Sequence, residues 1–162
     1  MDRVAIFVDV QNIYYTTRQG HDAHFDYNAF WRRVSADREV VVATAFAIDR
    51  SDPKQRQFQN ILRGIGFEVK LKPFISRIDG SAKGDWDVGI VLDVLDAAPN
   101  VDVVVLASGD GDFDLLVKRL RERYGLTVEV YGVPKLTSKT LIDAATRFVP
   151  IEGELLLQRS GL

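Results

Sequence analysis

The stretch Ser108-Gly109-Asp110-Gly111-Asp112-Phe113-Asp114 sets three carboxylates two residues apart, directly after the apolar run Val103-Val104-Val105-Leu106-Ala107. The N-terminal run Val4-Ala5-Ile6-Phe7-Val8 also ends on an acid, Asp9. A further acid, Asp87, stands in Lys83-Gly84-Asp85-Trp86-Asp87, just ahead of a long apolar segment. If folding gathers Asp9, Asp87, Asp110 and Asp112, their charges repel and some of their pKa values rise. A divalent cation removes that conflict, and Mg2+ and Mn2+ both prefer carboxylate oxygen and water. Two such ions, roughly 3.5–4 Å apart, can activate a water and stabilise the leaving oxygen of a phosphodiester. Gly109 and Gly111 would let the backbone turn sharply and let a bulky substrate approach. Other metal chemistry is poorly supplied. Cysteine is absent, and the two histidines, His21 and His24, sit together in a polar segment, so thiolate and zinc sites lack donors.

Each residue also has a plainer reading. Asp9 and Asp112 could cap the helices that follow them, and for either acid alone that is the simpler account. Asp110 is harder to explain this way, because one cap needs one aspartate. Asp85 reads as an N-cap with Asp87 as its first-turn companion, and Asp114 as a solvated helix residue. Asp93, six residues beyond Asp87, lies off its helical face and reads equally as a supporting acid, an exposed one or a ligand. Asn12 could make a local turn, or orient Asp9 or a phosphate. Ser108 could be a small strand-end residue or a donor to a carboxylate. Lys83 reads as a solvated loop lysine or a phosphate ligand. Trp86 and Tyr14 read as core or rim aromatics before base-stacking platforms.

The elements that must position these residues follow from periodicity. Residues 3–9, 39–48 and 101–107 are nearly unbroken apolar or β-branched runs, as in strands buried on both faces. Helices are predicted over residues 11–18 and 27–36, the second capped by Asp26. A third follows Asp52 and Pro53 to about Arg63, with Gly64 and Gly66 stopping it. Residues 67–75 alternate like an edge strand that tolerates Pro73. Residues 76–85 form the longest loop-like stretch, of the kind that often carries function. A helix over 86–97, a helix from Phe113 ended by Gly125, a strand at 127–131, a helix over 138–146 and an extended piece at 148–151 complete the pattern. Strands alternate with helices throughout, which predicts a parallel sheet covered on both faces. Ligands of such sheets bind at the carboxyl ends of the strands. Asp9 and Asp110 meet there if their strands are neighbours.

The chain has 162 residues, 46% of them apolar and 27% charged, which fits one globular domain and not a disordered segment. No apolar run is long enough to span a bilayer, and Met1-Asp2-Arg3 leads straight into a strand, with no secretory signal visible. A cytoplasmic location is the default expectation. The net charge of −2 does not announce a nucleic-acid binder, although local basic patches matter more than the sum.

In order and spacing, Phe7-Val8-Asp9-Val10-Gln11-Asn12, Lys83-Gly84-Asp85-Trp86-Asp87-Val88 and Ser108-Gly109-Asp110-Gly111-Asp112-Phe113 resemble the motifs of the NYN domain. Its bacterial LabA-like group, in the PIN-like nuclease superfamily, is the branch most similar. The resemblance covers nearly the whole chain. It implies a PIN-like (Rossmannoid) three-layer α/β/α sandwich over residues 1–151, a C-terminal tail at 152–162, and metal-dependent ribonuclease activity. Asp9, Asp87, Asp110 and Asp112 would be the catalytic, metal-holding acids. Asn12 would partner Asp9, and Lys83 and Ser108 match accompanying polar positions.

The leading expectation is therefore an endoribonuclease using Mg2+ or Mn2+ on RNA, in single strands. Local basic residues would draw the RNA in; Lys54 and Arg56 are candidates, Arg77 and Lys83 the better pair. The alternative is a non-catalytic module that binds RNA or a protein partner, in keeping with the regulatory roles of LabA-like proteins. Phosphoryl transfer to Asp9 is disfavoured, because Val10 and Gln11 replace the D-x-D that such phosphatases need. Pro73-Phe74-Ile75, on an edge strand, could pair between two copies in a homodimer.

Overall fold

A strand that is apolar on every residue must be covered on both sides, and that requirement organises this chain. The computed structural model describes residues 1–73, 75–76, 82–83 and 85–157. In chain order the elements are β1 (Asp2–Asp9), α1 (Val10–His21), β2 (His24–Phe25), α2 (Tyr27–Ser35), β3 (Arg38–Asp49), α3 (Pro53–Ile65), β4 (Glu68–Pro73), β5 (Ile75–Ser76), β6 (Ala82–Lys83) and α4 (Asp87–Ala97). There follow β7 (Val103–Ala107), α5 (Asp114–Tyr124), β8 (Thr127–Gly132), α6 (Lys139–Ala144), β9 (Arg147–Pro150) and β10 (Leu156–Leu157).

Six strands form one sheet in the order β4-β3-β1-β7-β8-β9, and every neighbouring pair is parallel. Alternate residues of β1 serve opposite cores. Val4, Ile6 and Val8 pack with Ile13 of α1, Phe30 and Val34 of α2 and Leu62 of α3. Ala5 and Phe7 pack with Ile90 and Val94 of α4, Leu116 and Leu120 of α5 and Leu141 of α6. The result is a three-layer α/β/α sandwich. From β1 the chain moves outward to β3 and β4, then returns past β1 to β7 and continues to β8 and β9. Strand order therefore reverses between β1 and β7, and sheets of this kind take ligands at the carboxyl ends of the strands at such a point.

The caps expected of Asp26 and Asp52 are present: Asp26 Oδ1 accepts from the Ala29 N–H and Asp52 Oδ1 from the Lys54 N–H. Several boundaries differ from expectation. Gly64 does not stop α3, which runs through it to Ile65 and ends at Gly66, whose φ of 138° few other residues adopt. Helix α1 continues past residue 18 to His21, where Asp22 takes a left-handed conformation. The outer strand predicted over 67–75 is split, with β4 ending at Pro73. Residues 153–157, within the tail expected over 152–162, are tied to the body. Leu155 is buried and its carbonyl accepts from the Asp26 N–H, while Leu156 and Leu157 pair antiparallel with β2. Among the described residues no helix is long and apolar enough to cross a membrane.

Candidate metal centre

Parallel register between β1 and β7 sets Val8 opposite Ala107, so Asp9 and Ser108 leave the sheet side by side. The Ser108 hydroxyl donates to Asp9 Oδ2 at 3.2 Å, and the Asn12 N–H approaches Asp9 Oδ1 at 3.4 Å. Asn12 returns the connection, since its Oδ1 accepts from the Gly109 N–H at 2.8 Å. The Asp110 N–H donates to the Ser108 hydroxyl at 3.2 Å, and the Asp112 N–H donates to Asp110 Oδ1 at 2.9 Å. Two loops almost a hundred positions apart are thereby held as one unit. Asp9 acts as a cap, as the plainer reading expects, but in the second loop the cap is Asp110 and not Asp112, whose own N–H donates to it. A carboxylate has two oxygens, so capping does not exhaust either side chain.

Asp87 arrives from the other side, as the first residue of α4. The side chain that fixes this end of the helix is Trp86. Its indole N–H donates to the Ala47 carbonyl at 2.8 Å, and its ring lies 5.4 Å from that of Phe46. Gly89 makes room for it, because a Cβ there would stand 2.5 Å from the Trp86 ring. Lys72 sits above the ring and donates to the Asp85 carbonyl. Trp86 is thus a packing anchor. Asp85 Oδ1 accepts from the Asp87 N–H, but from one residue ahead of the expected place, because the N-cap position itself is held by Trp86.

Asp87, Asp110 and Asp112 each offer a carboxylate oxygen within 4.8 Å of the others. Asp9 is not one of this group; both of its oxygens already accept hydrogen bonds. Burial, opposed by the bonds from Asn12 and Ser108 and helped by repulsion from Asp110 and Asp85, raises the Asp9 pKa to about 6. Burial first, then repulsion from Asp110 and Asp85, raises Asp87 to about 7. Tyr27, buried beneath, is pushed up by burial and by the charge of Asp9. The donors are all oxygen, their oxygens converge, and two of the acids resist ionising. That is the chemistry a hard divalent cation such as Mg2+ or Mn2+ relieves, so the residues fit such an ion.

The two glycines of the loop serve a purpose other than the one expected. Neither Gly109 nor Gly111 adopts a left-handed conformation. Instead the segment after β8 lies against them. A Cβ on Gly109 would come within 2.7 Å of the Leu136 carbonyl oxygen, and one on Gly111 within 2.6 Å of the Ser138 hydroxyl. The Ser138 N–H donates to the Gly109 carbonyl at 3.0 Å. Because backbone blocks the Gly109 position, Gly109→Ala is expected to cost about 1–3 kcal/mol. The urea midpoint measures this, and an unchanged midpoint would contradict the packing account.

Of the other candidates, Asp93 separates from the centre. Asp93 forms an ion pair with Lys70 of β4. The Lys83 backbone pairs with Ile75 in β6; its side chain, and all of Arg77, lie outside the described residues. Sequence reasoning overlooked Asp85, whose charge acts on both Asp9 and Asp87, although the spacing Asp85-Trp86-Asp87 carried the signal. It also overlooked Ser138, for which no local signal exists.

The family match settles the kinship: residues 3–152 match the NYN domain. The chain belongs to the NYN domain family. NYN domains are a family of PIN-like nucleases, and the kinship points this chain toward RNA. The low amplitude and bright protein LabA of Synechococcus elongatus is 27% identical over 157 residues, spanning 92% of this NYN domain chain and 83% of LabA. The crystal structure of a protein of unknown function from Vibrio parahaemolyticus is 61% identical, with a TM-score of 0.92 over 96% of each chain.

Proposed function

We propose that this NYN domain is an endoribonuclease that cuts single-stranded RNA with Mg2+ or Mn2+. The observation that carries the reading is the convergence of Asp87, Asp110 and Asp112 within 4.8 Å, where strand order reverses. These three acids would hold the ion. When bound, the ion would supply a nucleophilic water near neutral pH and offset charge on the phosphoryl group. Asp9 holds the strand-end loops through Asn12 and Ser108. The hydrogen bonds of Asn12 and Ser108 support positioning roles for both. Arg77 and Lys83 are the proposed contacts to the RNA backbone.

The test is incubation of end-labelled single-stranded RNA with the protein in Mn2+, in Mg2+ and in EDTA. Products are expected with either ion and none in EDTA. Intact RNA in every arm would end the nuclease reading. One observation favours the alternative of an RNA-binding module that does not cut: Asp9 and Asp110 each have a capping duty that would keep them in place without catalysis. That alternative expects RNA binding in EDTA and no products with either metal.

A further inference from the structure

Helix α1 carries two large aromatic side chains that neither the core nor the acidic centre uses. Ile13 and Thr17 are the buried residues of α1, and a Cβ on Gly20 would meet Val133. Tyr14 and Tyr15 face outward instead, with 41% and 50% of their surface exposed. Their rings meet edge to face, with centroids 5.5 Å apart. Tyr14 also lies nearly parallel to the His24 imidazole, at 6.2 Å and 27°. The Arg18 guanidinium donates to its hydroxyl at 3.0 Å. His24 is itself fixed, because β2 pairs with Leu157. The rings are thus held in place but left open to solvent.

Their position relates them to the site. Tyr15 follows Asn12 by three residues, about 4.5 Å of helix rise on the same face, and Tyr14 reaches the site only as the neighbour its ring meets. Helical side chains lean toward the N-terminus, which here is the end that bears Asp9 and Asn12. Charge also distinguishes this face. Between Val10 and His21 the chain has no acid, and Arg18 and His21 lie in its last turn. Arg18 spends one of its five N–H donors on Tyr14, which leaves others for an anion.

We propose that Tyr14, Tyr15 and His24 form a stacking platform for unpaired bases of single-stranded RNA, with Arg18 meeting the phosphate beside them. Aromatic faces accept any base, so the platform would hold a strand against the acids without reading its sequence. The inference rests on the RNA reading of the site and deepens it by assigning where the strand lies.

The test uses a fluorescein-labelled twelve-residue oligouridylate and fluorescence anisotropy, in EDTA so that cleavage plays no part. Tyr14→Leu and Tyr15→Leu keep bulk and remove the aromatic face; Tyr14→Phe and Tyr15→Phe keep it. Thermal melts verify folding of all four variants. Each Leu variant is expected to raise Kd about tenfold, and each Phe variant to stay within about twofold of wild type. Ultraviolet cross-linking is expected to mark the peptide that contains Tyr14 and Tyr15. Folded Leu variants that bind like wild type overturn the proposal. So does a folded wild type that binds no oligouridylate, or that prefers its duplex with oligoadenylate. The outcomes separate from those of the nuclease reading. Tyrosine-dependent binding without products in Mn2+ removes catalysis and keeps the platform, while Mn2+-dependent cleavage with tyrosine-independent binding does the reverse.

Discussion

Asp110→Asn is expected to lower the proposed Mn2+-dependent RNA cleavage at least about 100-fold while the chain stays folded. The two halves of this expectation have separate causes. Asp110 Oδ1 accepts from the Asp112 N–H, and asparagine keeps an acceptor oxygen there and caps about as well as aspartate. Repulsion from Asp110 contributes to the raised pKa values of Asp9 and Asp87, so removing its charge relieves both. Folding is therefore kept. The proposed ion, however, loses one of three converging carboxylates. Replacing residues that merely orient metal ligands costs 10–100-fold in affinity or activity, so loss of a ligand sets the lower bound at about the top of that range. Initial rates on labelled RNA across a Mn2+ titration, beside a melting curve, give the answer. A variant that cuts at the wild-type rate would remove Asp110 from the centre.

The second large effect concerns stability without metal. In EDTA the protein is expected to lose stability as pH rises from about 3.5 to about 8. Asp9 titrates at about 6 and Asp87 at about 7 when folded, against 3.8 for an unperturbed aspartate. Below pH 3.8 both carboxyls are protonated in the folded and the unfolded chain. Above it the unfolded chain releases its protons, while the folded chain keeps them until it must ionise against burial and neighbouring acids. Stability present at low pH is thus lost through pH 6–7. For Asp9 the loss is about 3 kcal/mol, or about 6–12 °C in melting temperature for a domain of this size. Asp87 is more open to solvent and adds less. Mg2+ flattens the profile by neutralising the acids. Asp9→Asn flattens it by removing one of them, so a substitution that harms the proposed activity should raise the melting temperature at pH 8. Melts across this range in EDTA, with and without Mg2+, decide the matter; a level wild-type profile in EDTA would contradict the electrostatic account.

Much of this was legible in the residues because it followed from local pattern plus one rule of topology. The runs ending at Asp9 and Ala107 are too uniformly apolar to be anything but interior strands. In a parallel sheet such strands deliver their ends to one edge, so acids far apart in the chain could be placed together. Asp26, Asp52 and Pro53 announced helix starts because capping acts within three residues. What failed was non-local. Gly109 and Gly111 looked like turn residues, and only the Leu136–Ser138 segment explains them. The pairing of β2 with β10 spans two residues on each side, too few to show a period. Gly64 suggested a helix end, but Ile65, half-buried against the core, keeps the helix going, at roughly the 1 kcal/mol that glycine costs there. Asp93 resisted a reading from its own helix because its partner, Lys70, belongs to a strand.

The placement of β1 between β3 and β7 bears on how the protein is made. β1 precedes both of its sheet neighbours in the chain, and one of its two flanks stays bare until residues 103–107 leave the ribosome. Ser108 meets Asp9 across 99 positions, a long-range closure of the kind that slows folding and exposes nascent chains to aggregation. A growing polypeptide that stops short of Asp110 has Asp9 but lacks two of the three converging carboxylates. The proposed cutting activity would therefore require synthesis to have passed Asp112.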